Sequence, residues 1–315
     1  MPHQLLRVGL GTSRQSQQVD LVSMMQKRVP YELWDVFTTE AFVGNPLAVL
    51  PDANGLSDVQ MQRVANEFNL SETSFVLPSD VADVRARYFT PTRELPMAGH
   101  PSVGTVFALE KTGSFAGRDE VTLELGIGPV TMTLERDGET LKRVSMDQGV
   151  PVLSETFDKD AVAVSLGLDA GDLESELPAQ VGSAGVPRLL VPLVSLEALA
   201  RVNPNPARFT ELARGAFRSV LAFVRQPEGI RARMFVVENR VYEDPATGSA
   251  YGPLGAYLAA HTDILQADEA TFVSHQGVEM GRVSVLYVRL TRSVEGVRVS
   301  VGGSAVQVGQ GTLFL

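Results

Sequence analysis

The chain has 315 residues, enough for two domains of ordinary size, and its 44% hydrophobic and 20% charged residues are typical of a soluble globular protein. Its formal net charge of -10 disfavours nucleic acid and anionic membrane as partners, so an anionic ligand would have to be held by local dipoles. No apolar run reaches the length needed to span a bilayer, and the absence of cysteine excludes any mechanism that uses two thiols as acid and base.

Residues 1–30 are predicted to form a flexible N-terminal tail or an over-extended start. The run from residue 12 to residue 18 is polar throughout and has neither strand nor helix periodicity. The region lacks the apolar segment of a signal peptide, and its few acidic residues are only a weak sign of organelle targeting. We therefore expect a cytoplasmic protein whose folded part begins at Tyr31.

The first predicted elements are two strands and a helix. Alternating apolar and polar residues predict strands over residues 31–37 and 47–50, separated by a turn at residues 44–46. Ser57 and Gln60 then form a capping-box pattern, and apolar residues recur at helical spacing after them. This pattern predicts a helix that packs one face against the strands.

An acidic residue follows this helix at the junction with the next strand. The helix is expected to end near Asn69, and Glu72 comes directly before the apolar run of that strand. A carboxylate at such a junction is commonly a solvated loop residue or a local cap. Here the flanking residues are apolar or small and include no cation, so burial would raise the pKa of Glu72 toward a value useful near neutrality.

Two short segments, residues 98–105 and 244–250, have similar sequences. In each, a polar residue (His100 or Asp244) stands directly before a proline, and proline fits the first turn of a helix. We therefore expect His100 and Asp244 at or near helix N-caps. The small residues that follow would leave several backbone N–H groups unpaired, as at a helix N-terminus that holds an anion.

The second half of the chain repeats the strand–helix–strand organisation of the first. The remaining predicted strands of the first half are at 84–89, 130–134 and 141–144. Those of the second half are at 188–193, 219–224, 234–237 and 297–301, with a helix at 162–168. Asp137-Gly138 predicts a hairpin turn. The boundary is expected near Gly149, which gives α/β domains over residues 31–149 and 150–315, with the last strand able to return to the first domain.

The glycines of the two similar segments have two possible roles. If both helix starts face one cleft, they direct two positive dipole ends at one anionic ligand, each worth a few tenths to about 2 kcal/mol. Alternatively, Gly104, Gly248 and Gly255 only permit tight packing around a buried helix. Because the segment occurs twice, the sequence favours neither interpretation clearly over the other.

The chain resembles the PhzF family of phenazine-biosynthesis isomerases from Tyr31 to Leu315. Several spaced motifs in the right order carry this resemblance: Gly44-Asn45-Pro46, Asn69-Leu70-Ser71-Glu72-Thr73, Ala98-Gly99-His100-Pro101, Glu243-Asp244-Pro245-Ala246-Thr247-Gly248-Ser249-Ala250 and Gln276-Gly277 with Met280-Gly281-Arg282. The motifs indicate a shared catalytic apparatus rather than one particular ring as substrate.

The resemblance implies a diaminopimelate-epimerase-like fold, in which two similar α/β domains each wrap strands around a central helix. The active site of such proteins lies between the domains, and they are usually homodimers. The family reaction is the isomerisation of trans-2,3-dihydro-3-hydroxyanthranilate without cofactor or metal. The epimerases of this fold use a cysteine pair, so the absence of cysteine agrees with the PhzF branch.

The resemblance also implies a set of site residues. Glu72 would move the proton, while His100 and Asp244 would orient the polar groups of the substrate. The substrate carboxylate would lie on Ser249 and on the backbone N–H groups near Gly99 and Gly248. His3, His261 and His275 have no such support, and the scattered histidines form no metal-ligand pattern.

Three functional hypotheses follow from the sequence. The first is a PhzF-like isomerase of a small anionic substrate, without cofactor or metal. The second is a cofactor-independent racemase or epimerase of an amino or hydroxy acid, in which carboxylate and imidazole replace the thiols. The third is a non-catalytic ligand-binding or interaction protein that retains the site. No dinucleotide fingerprint, phosphate-loop lysine motif or nucleophile elbow supports another class.

Overall fold

The computed structural model describes residues 27–237 and 241–315, so residues 1–26 of the predicted tail lie outside the described part. The first strand begins at Arg28 rather than at Tyr31. The α-helices are α1 (Asp58–Phe68), α2 (Gly99–Glu110), α3 (Lys159–Leu166), α4 (Leu196–Arg201), α5 (Pro206–Ala213) and α6 (Tyr251–His261), with 3-10 turns at Ala170–Asp172 and Gly248–Ala250. None of the helices in the described ranges combines the length and apolarity of a membrane span.

The strands join into one hydrogen-bonded network. They are β1 (Arg28–Val36), β2 (Asn45–Leu50), β3 (Glu72–Leu77), β4 (Val84–Phe89), β5 (Glu94–Leu95), β6 (Glu120–Leu125), β7 (Gly128–Asp137), β8 (Thr140–Asp147), β9 (Val152–Phe157), β10 (Ala179–Ser183), β11 (Pro187–Pro192), β12 (Ser219–Gln226), β13 (Gly229–Val237), β14 (Val241–Asp244), β15 (Glu269–Gln276), β16 (Ser284–Ser293), β17 (Gly296–Gly303) and β18 (Ala305–Phe314). The predicted strands, the hairpin at Asp137-Gly138 and the helix near residue 162 are all present.

Each half of the chain wraps strands around one central helix. In the N-terminal half the neighbours run β18-β1-β2-β3-β4-β6-β7-β8, and α2 packs inside them. In the C-terminal half they run β9-β10-β11-β12-β13-β15-β16-β17, and α6 packs inside. Both halves have parallel pairs at the same steps, β2–β3 with β4–β6 and β11–β12 with β13–β15. The architecture is therefore duplicated, and the antiparallel pair β8–β17 joins the two copies.

The two central helices are apolar on every side. All residues of α2 from Gly99 to Leu109 are buried, and so are the first two turns of α6. A helix that is hydrophobic all round is stable only inside a core. A Cβ on Gly104 would lie 2.5 Å from Leu47 Cδ2, and one on Gly255 would lie 2.6 Å from Leu290 Cδ2. Tight packing is therefore the role of these two glycines.

Helix α1 fixes where β3 begins. Its capping box of Ser57 and Gln60 is formed, and the helix ends at Asn69 in the left-handed conformation, as the sequence predicts. The chain then enters β3, which pairs in parallel with β2 so that Leu47 lies opposite Glu72. The first residues of β2 and β3 consequently share one edge of the sheet, near the N-terminal end of α2.

Candidate active site

The N-terminal ends of the two central helices meet. A Cβ on Gly99 would lie 3.0 Å from the backbone nitrogen of Ser249 and 3.2 Å from Gly248 Cα. A Cβ on Gly248 would lie 3.0 Å from the Phe37 ring. Only glycine allows this approach of one backbone to the other. Unlike Gly104 and Gly255, these two glycines bring the amide-rich helix starts of both halves to one place.

His100 and Asp244 lie near the helix starts, as expected, but neither of them is the N-cap itself. Helix α2 starts at Gly99 with Ala98 as its N-cap, so His100 lies inside the first turn. Asp244 is the last residue of β14, and the helical turn begins only at Gly248. Asp244 is held in this loop because its carboxylate accepts a hydrogen bond from Thr247 Oγ1. The structural repeat instead aligns Gly99 with Gly248 and His100 with Ser249.

Glu72 lies beside His100 in the angle between the helix starts. The Glu72 side chain exposes 18% of its surface, and its Oε2 is 3.4 Å from His100 Nδ1. Burial and, second, the carboxylate of Asp244 raise the pKa of Glu72 to about 8, against smaller opposing effects of Ser71 and Arg188. At neutral pH this acid therefore holds its proton in most molecules and can still release it.

His100 is a neutral imidazole in this environment. The side chain is almost fully buried, and this burial lowers the pKa of His100 to about 3. The short distance to Glu72 is thus a contact between a neutral ring and a carboxylic acid, not an ion pair. His100 Nε2 is buried and has no hydrogen-bond partner within the described residues. If Nδ1 accepts the proton of Glu72, Nε2 carries the ring hydrogen and is a donor.

Asp244 is a second buried carboxyl group with a different pKa. Asn45 Nδ2 donates to its Oδ1 at 2.9 Å, and Thr247 Oγ1 donates to its Oδ2. Burial raises the pKa of Asp244 to about 6, and the two hydrogen bonds limit that rise. Asp244 is therefore mainly ionised at neutral pH while Glu72 is mainly protonated. Environments that separate the pKa values of two carboxyl groups are typical of acid–base sites.

Asn45 connects the two halves at the site. The residue is fully buried, and its Nδ2 donates to Asp244 Oδ1 and, at 2.8 Å, to the Ala246 carbonyl. Its Oδ1 accepts from Ser71 Oγ at 3.1 Å, beside Glu72. Sequence analysis assigned Asn45 only to a turn, although it stands in one of the motifs that carry the family resemblance.

Two glutamines, the buried Gln276 and the partly buried Gln148, hold the loop that carries Asp244 and Ser249. Gln276 Nε2 donates to the Asp244 carbonyl at 2.7 Å, and Gln276 Oε1 accepts from Tyr251 OH at 3.1 Å. Gln148 Nε2 donates to the Gly248 carbonyl at 3.0 Å. These contacts fix the backbone of the C-terminal helix start before any ligand arrives.

Arg188 is a cation that sequence analysis missed. It lies near the start of β11, is buried, and donates from Nη2 to Ser249 Oγ at 2.6 Å. Burial lowers the pKa of Arg188 to about 10, so the guanidinium stays charged at neutral pH. The sequence analysis expected only local dipoles to hold an anion, and the structure adds a buried cation beside the helix starts. The sequence gives no sign of this role, because Arg188 stands directly before an apolar run and in no recognisable motif.

The structure brings together all the site positions that the resemblance implies: Glu72, His100, Asp244, Gly99, Gly248 and Ser249. The other histidines lie elsewhere or outside the described residues. His261 contacts Gln180 at 2.7 Å, His275 lies in β15, and His3 is not described. The site thus combines a proton-holding acid, a neutral imidazole, an ionised carboxylate and a cationic, amide-rich corner.

This chain has an epimerase-like fold. Its two similar halves each wrap strands around a central helix, and the site lies where the two helix starts meet. A solved structure from Bacillus anthracis, described as a phenazine biosynthesis protein of the PhzF family, is 30% identical with a TM-score of 0.85, covering 92% of this chain and 100% of that one. A hydroxyproline epimerase from Agrobacterium vitis is only 14% identical, yet superposes over 91% of this chain and 93% of its own with a TM-score of 0.63, so the two share the fold.

The particular family follows from the sequence comparisons. The model of the family described as phenazine biosynthesis-like protein matches residues 34–311. Relatives named trans-2,3-dihydro-3-hydroxyanthranilate isomerase, from Pseudomonas aeruginosa and Pseudomonas chlororaphis, are 38% and 36% identical, each covering 90% of this chain and 99% of the relative. The chain belongs to this PhzF family, as the sequence motifs predict, and it is an isomerase.

Proposed function

We propose that the protein is a cofactor-independent isomerase that moves a proton on a small carboxylate-bearing ring of the trans-2,3-dihydro-3-hydroxyanthranilate type. The observation that carries this proposal is the position of Glu72, a buried acid beside His100 at the meeting point of two helix starts. The names of the Pseudomonas relatives support this type of substrate.

The carboxylate of the substrate lies at the helix starts in this proposal. Backbone N–H groups near Gly99 and Gly248 point their positive dipole ends at it, each contributing a few tenths to about 2 kcal/mol. Ser249 adds a hydroxyl donor at the same corner. These donors hold the carboxylate end of the ring, so the reacting carbon faces Glu72.

Glu72 carries the proton between two carbons of the same ring. Its carboxylate form removes a proton from carbon, and the resulting carboxylic acid returns that proton at another position, so the reaction needs no net proton source. Positioned proton transfer of this kind contributes about a hundred- to ten-thousand-fold in rate. His100 Nε2 and the ionised Asp244 orient the polar substituents, and the helix dipoles stabilise the negative charge that develops.

The test is turnover of trans-2,3-dihydro-3-hydroxyanthranilate by the purified full-length chain in deuterated water. We expect loss of substrate absorbance together with formation of the isomerised ring, and solvent deuterium at the reprotonated carbon whenever the proton on Glu72 exchanges with solvent before it is returned, both detected by NMR. Glu72→Gln keeps the shape of the side chain and should lower kcat by about a hundred-fold or more. Glu67→Gln, an exposed acid on α1, is the matched control and should leave kcat unchanged.

The same assay, repeated with amino acids, hydroxy acids and other ring carboxylates, tests the other hypotheses. Deuterium exchange into an amino or hydroxy acid, with a change of optical rotation and no isomerisation of the ring, would identify a racemase or epimerase. Binding of ring carboxylates with neither isomerisation nor exchange would identify a non-catalytic binding protein. Unchanged turnover by Glu72→Gln would remove the proton-shuttle role.

We further propose that the protein acts as a homodimer in the cytoplasm and does not bind nucleic acid. The formal net charge of -10 supports the last point, because the chain would repel a polyanion over long range. Light scattering coupled to size-exclusion chromatography measures the oligomeric state, and a mass other than that of two chains would contradict the dimer.

A further inference from the structure

Arg188 is a buried cation with unused hydrogen-bonding capacity. Only 7% of its surface is exposed, and its Nε is buried without a hydrogen-bond partner within the described residues. Its Nη2 donates to Ser249 Oγ at 2.6 Å. A guanidinium in the interior is expensive unless its charge and its N–H groups are satisfied.

A second buried arginine shows what a purely structural guanidinium looks like in this protein. Arg233, on β13, donates through Nε and Nη2 to the two carboxylate oxygens of Glu243 at 2.8 Å. Its Nη1 also donates to three backbone carbonyls, those of Leu199, Ala200 and Val202. Arg233 is therefore neutralised by protein groups, whereas Arg188 is not.

The neighbouring carboxyl groups do not neutralise Arg188 by direct contact. Among the described residues, no ion pair with an N–O distance of 4.0 Å or less joins Arg188 to Glu72 or to Asp244. Both act on Arg188 only over a longer distance, as their smaller effects on its pKa indicate. The positive charge thus remains available to a further anion.

The contact with Ser249 directs its hydroxyl. Because a guanidinium has no acceptor, the Ser249 oxygen must accept from Arg188, and the single hydroxyl hydrogen is then free to point at another group. The Ser249 backbone nitrogen faces Gly99 at the junction of the helix starts. The hydroxyl donor, the amide groups and the guanidinium charge therefore converge on one corner of the site.

We propose that Arg188 is the specificity-determining residue that makes the site select a carboxylate-bearing substrate over its uncharged analogue. It does so by orienting the Ser249 hydroxyl toward the carboxylate and by placing a positive charge behind it. This inference rests on the proposed function, since it names the group of the substrate that lies at the helix starts. It also explains why Arg188 is kept in the interior although no carboxylate of the protein neutralises it by direct contact.

Calorimetric titration with 2-aminobenzoate and 2-aminobenzamide tests the inference without turnover. The two probes have nearly the same shape and differ at one substituent, an anionic carboxylate in one and a neutral carboxamide in the other. We expect the wild type to prefer the benzoate, and Arg188→Met to lose about 10- to 100-fold in affinity for it while the affinity for the amide changes little. Arg188→Lys should retain part of the preference, because it keeps the charge without the planar fork.

Two further variants separate this role from a structural one. Arg136→Met removes another paired arginine, partly buried and bound to Glu110 outside the site, and should leave the benzoate-to-amide preference unchanged. Ser249→Ala removes the hydroxyl that Arg188 orients, so the loss caused by Arg188→Met should be smaller in the Ser249→Ala background than in the wild type.

The outcomes distinguish failure of the inference from failure of the proposed function. A folded Arg188→Met variant with the wild-type preference would overturn the inference, and so would a wild type without any preference. If Arg188→Met does not fold, Arg188→Lys takes its place. A fully wild-type preference in Arg188→Lys, together with effects of Arg188→Lys and Ser249→Ala that add in the double variant, would overturn the inference. A wild type that prefers the benzoate but does not isomerise the dihydro ring would sustain the inference and reject the proposed reaction.

Discussion

Replacing Glu72 by glutamine should stabilise the protein at alkaline pH while it removes activity. The folded protein holds a proton on Glu72 up to a pKa of about 8, whereas the ordinary value is 4.5. Between these two pH values the unfolded chain releases that proton and the folded chain keeps it. Stability therefore falls as pH rises from about 4.5 to 8, and glutamine, which does not ionise, lacks this loss.

The size of the effect follows from the two pKa values. Each pKa unit corresponds to 1.36 kcal/mol, so an ionised Glu72 costs the folded state at most about 5 kcal/mol. Most of this cost develops above pH 5. The free energy of unfolding of Glu72→Gln minus that of the wild type should therefore rise by about 4 kcal/mol between pH 5 and pH 9.

Urea unfolding followed by circular dichroism at pH 5, 7 and 9 measures this difference. Taking the variant against the wild type at each pH cancels the other titrating groups. Glu67→Gln, on the exposed face of α1, is the matched control and should run parallel to the wild type. If Glu72→Gln also ran parallel to the wild type from pH 5 to pH 9, the carboxyl group would not be destabilised by burial, and the argument for a tuned proton shuttle would fail.

Three further predictions concern the same site. The value of kcat/KM should rise with pH through about 8, because Glu72 must lose its proton before it can act as a base; a flat profile from pH 6 to pH 9 would contradict this order of events. Asn45→Ala should lower the free energy of unfolding by about 3 kcal/mol and reduce kcat, because Asp244 and the Ala246 carbonyl lose a buried donor; wild-type kcat would show that the link between the halves is dispensable. Gly99→Ala should raise KM at least about ten-fold, because its Cβ would lie 3.0 Å from the Ser249 nitrogen; an unchanged KM would mean that the helix starts can separate without loss.

Local patterns in the sequence predict much of the fold. The capping box of α1 depends on Ser57 and Gln60, three residues apart, and the structure forms it as expected. The hairpin at Asp137-Gly138 depends on two adjacent residues, and it too is present. Each of these elements is specified by neighbours in the chain, so a single sequence contains the information.

Contacts between distant parts of the chain account for what the sequence does not reveal. Asn45 and Asp244 are 199 positions apart, yet one hydrogen bond joins them at the site. Arg188 and Ser249 are 61 positions apart. No periodicity or spacing indicates which polar group such a residue will meet. Glu72 was accessible to prediction because its uncharged flanks predict burial, and burial is the first cause of its raised pKa.

The exact positions of His100 and Asp244 relative to the helix starts illustrate the same limit of a local pattern. His100 and Asp244 each precede a proline, and this similarity suggested that they are equivalent. The strands before the helices give a different alignment, because β5 ends at Leu95, four residues before Gly99, and β14 ends at Asp244, four residues before Gly248. Pro96 is thus the counterpart of Pro245.

The same alignment explains how a duplicated fold makes an asymmetric site. In the parallel pairs, Leu47 lies opposite Glu72 in the N-terminal half, and Leu190, which faces the central core as Leu47 does, lies opposite Leu221 in the C-terminal half, so Leu221 occupies the place of the acid. Arg188 stands two residues before Leu190, as Asn45 stands two residues before Leu47. One half therefore places an acid, and the other a cation, beside helix starts that are otherwise alike. The proton transfer and carboxylate binding that we propose need opposite electrostatic environments, and the two divergent copies place an acid and a cation within one site.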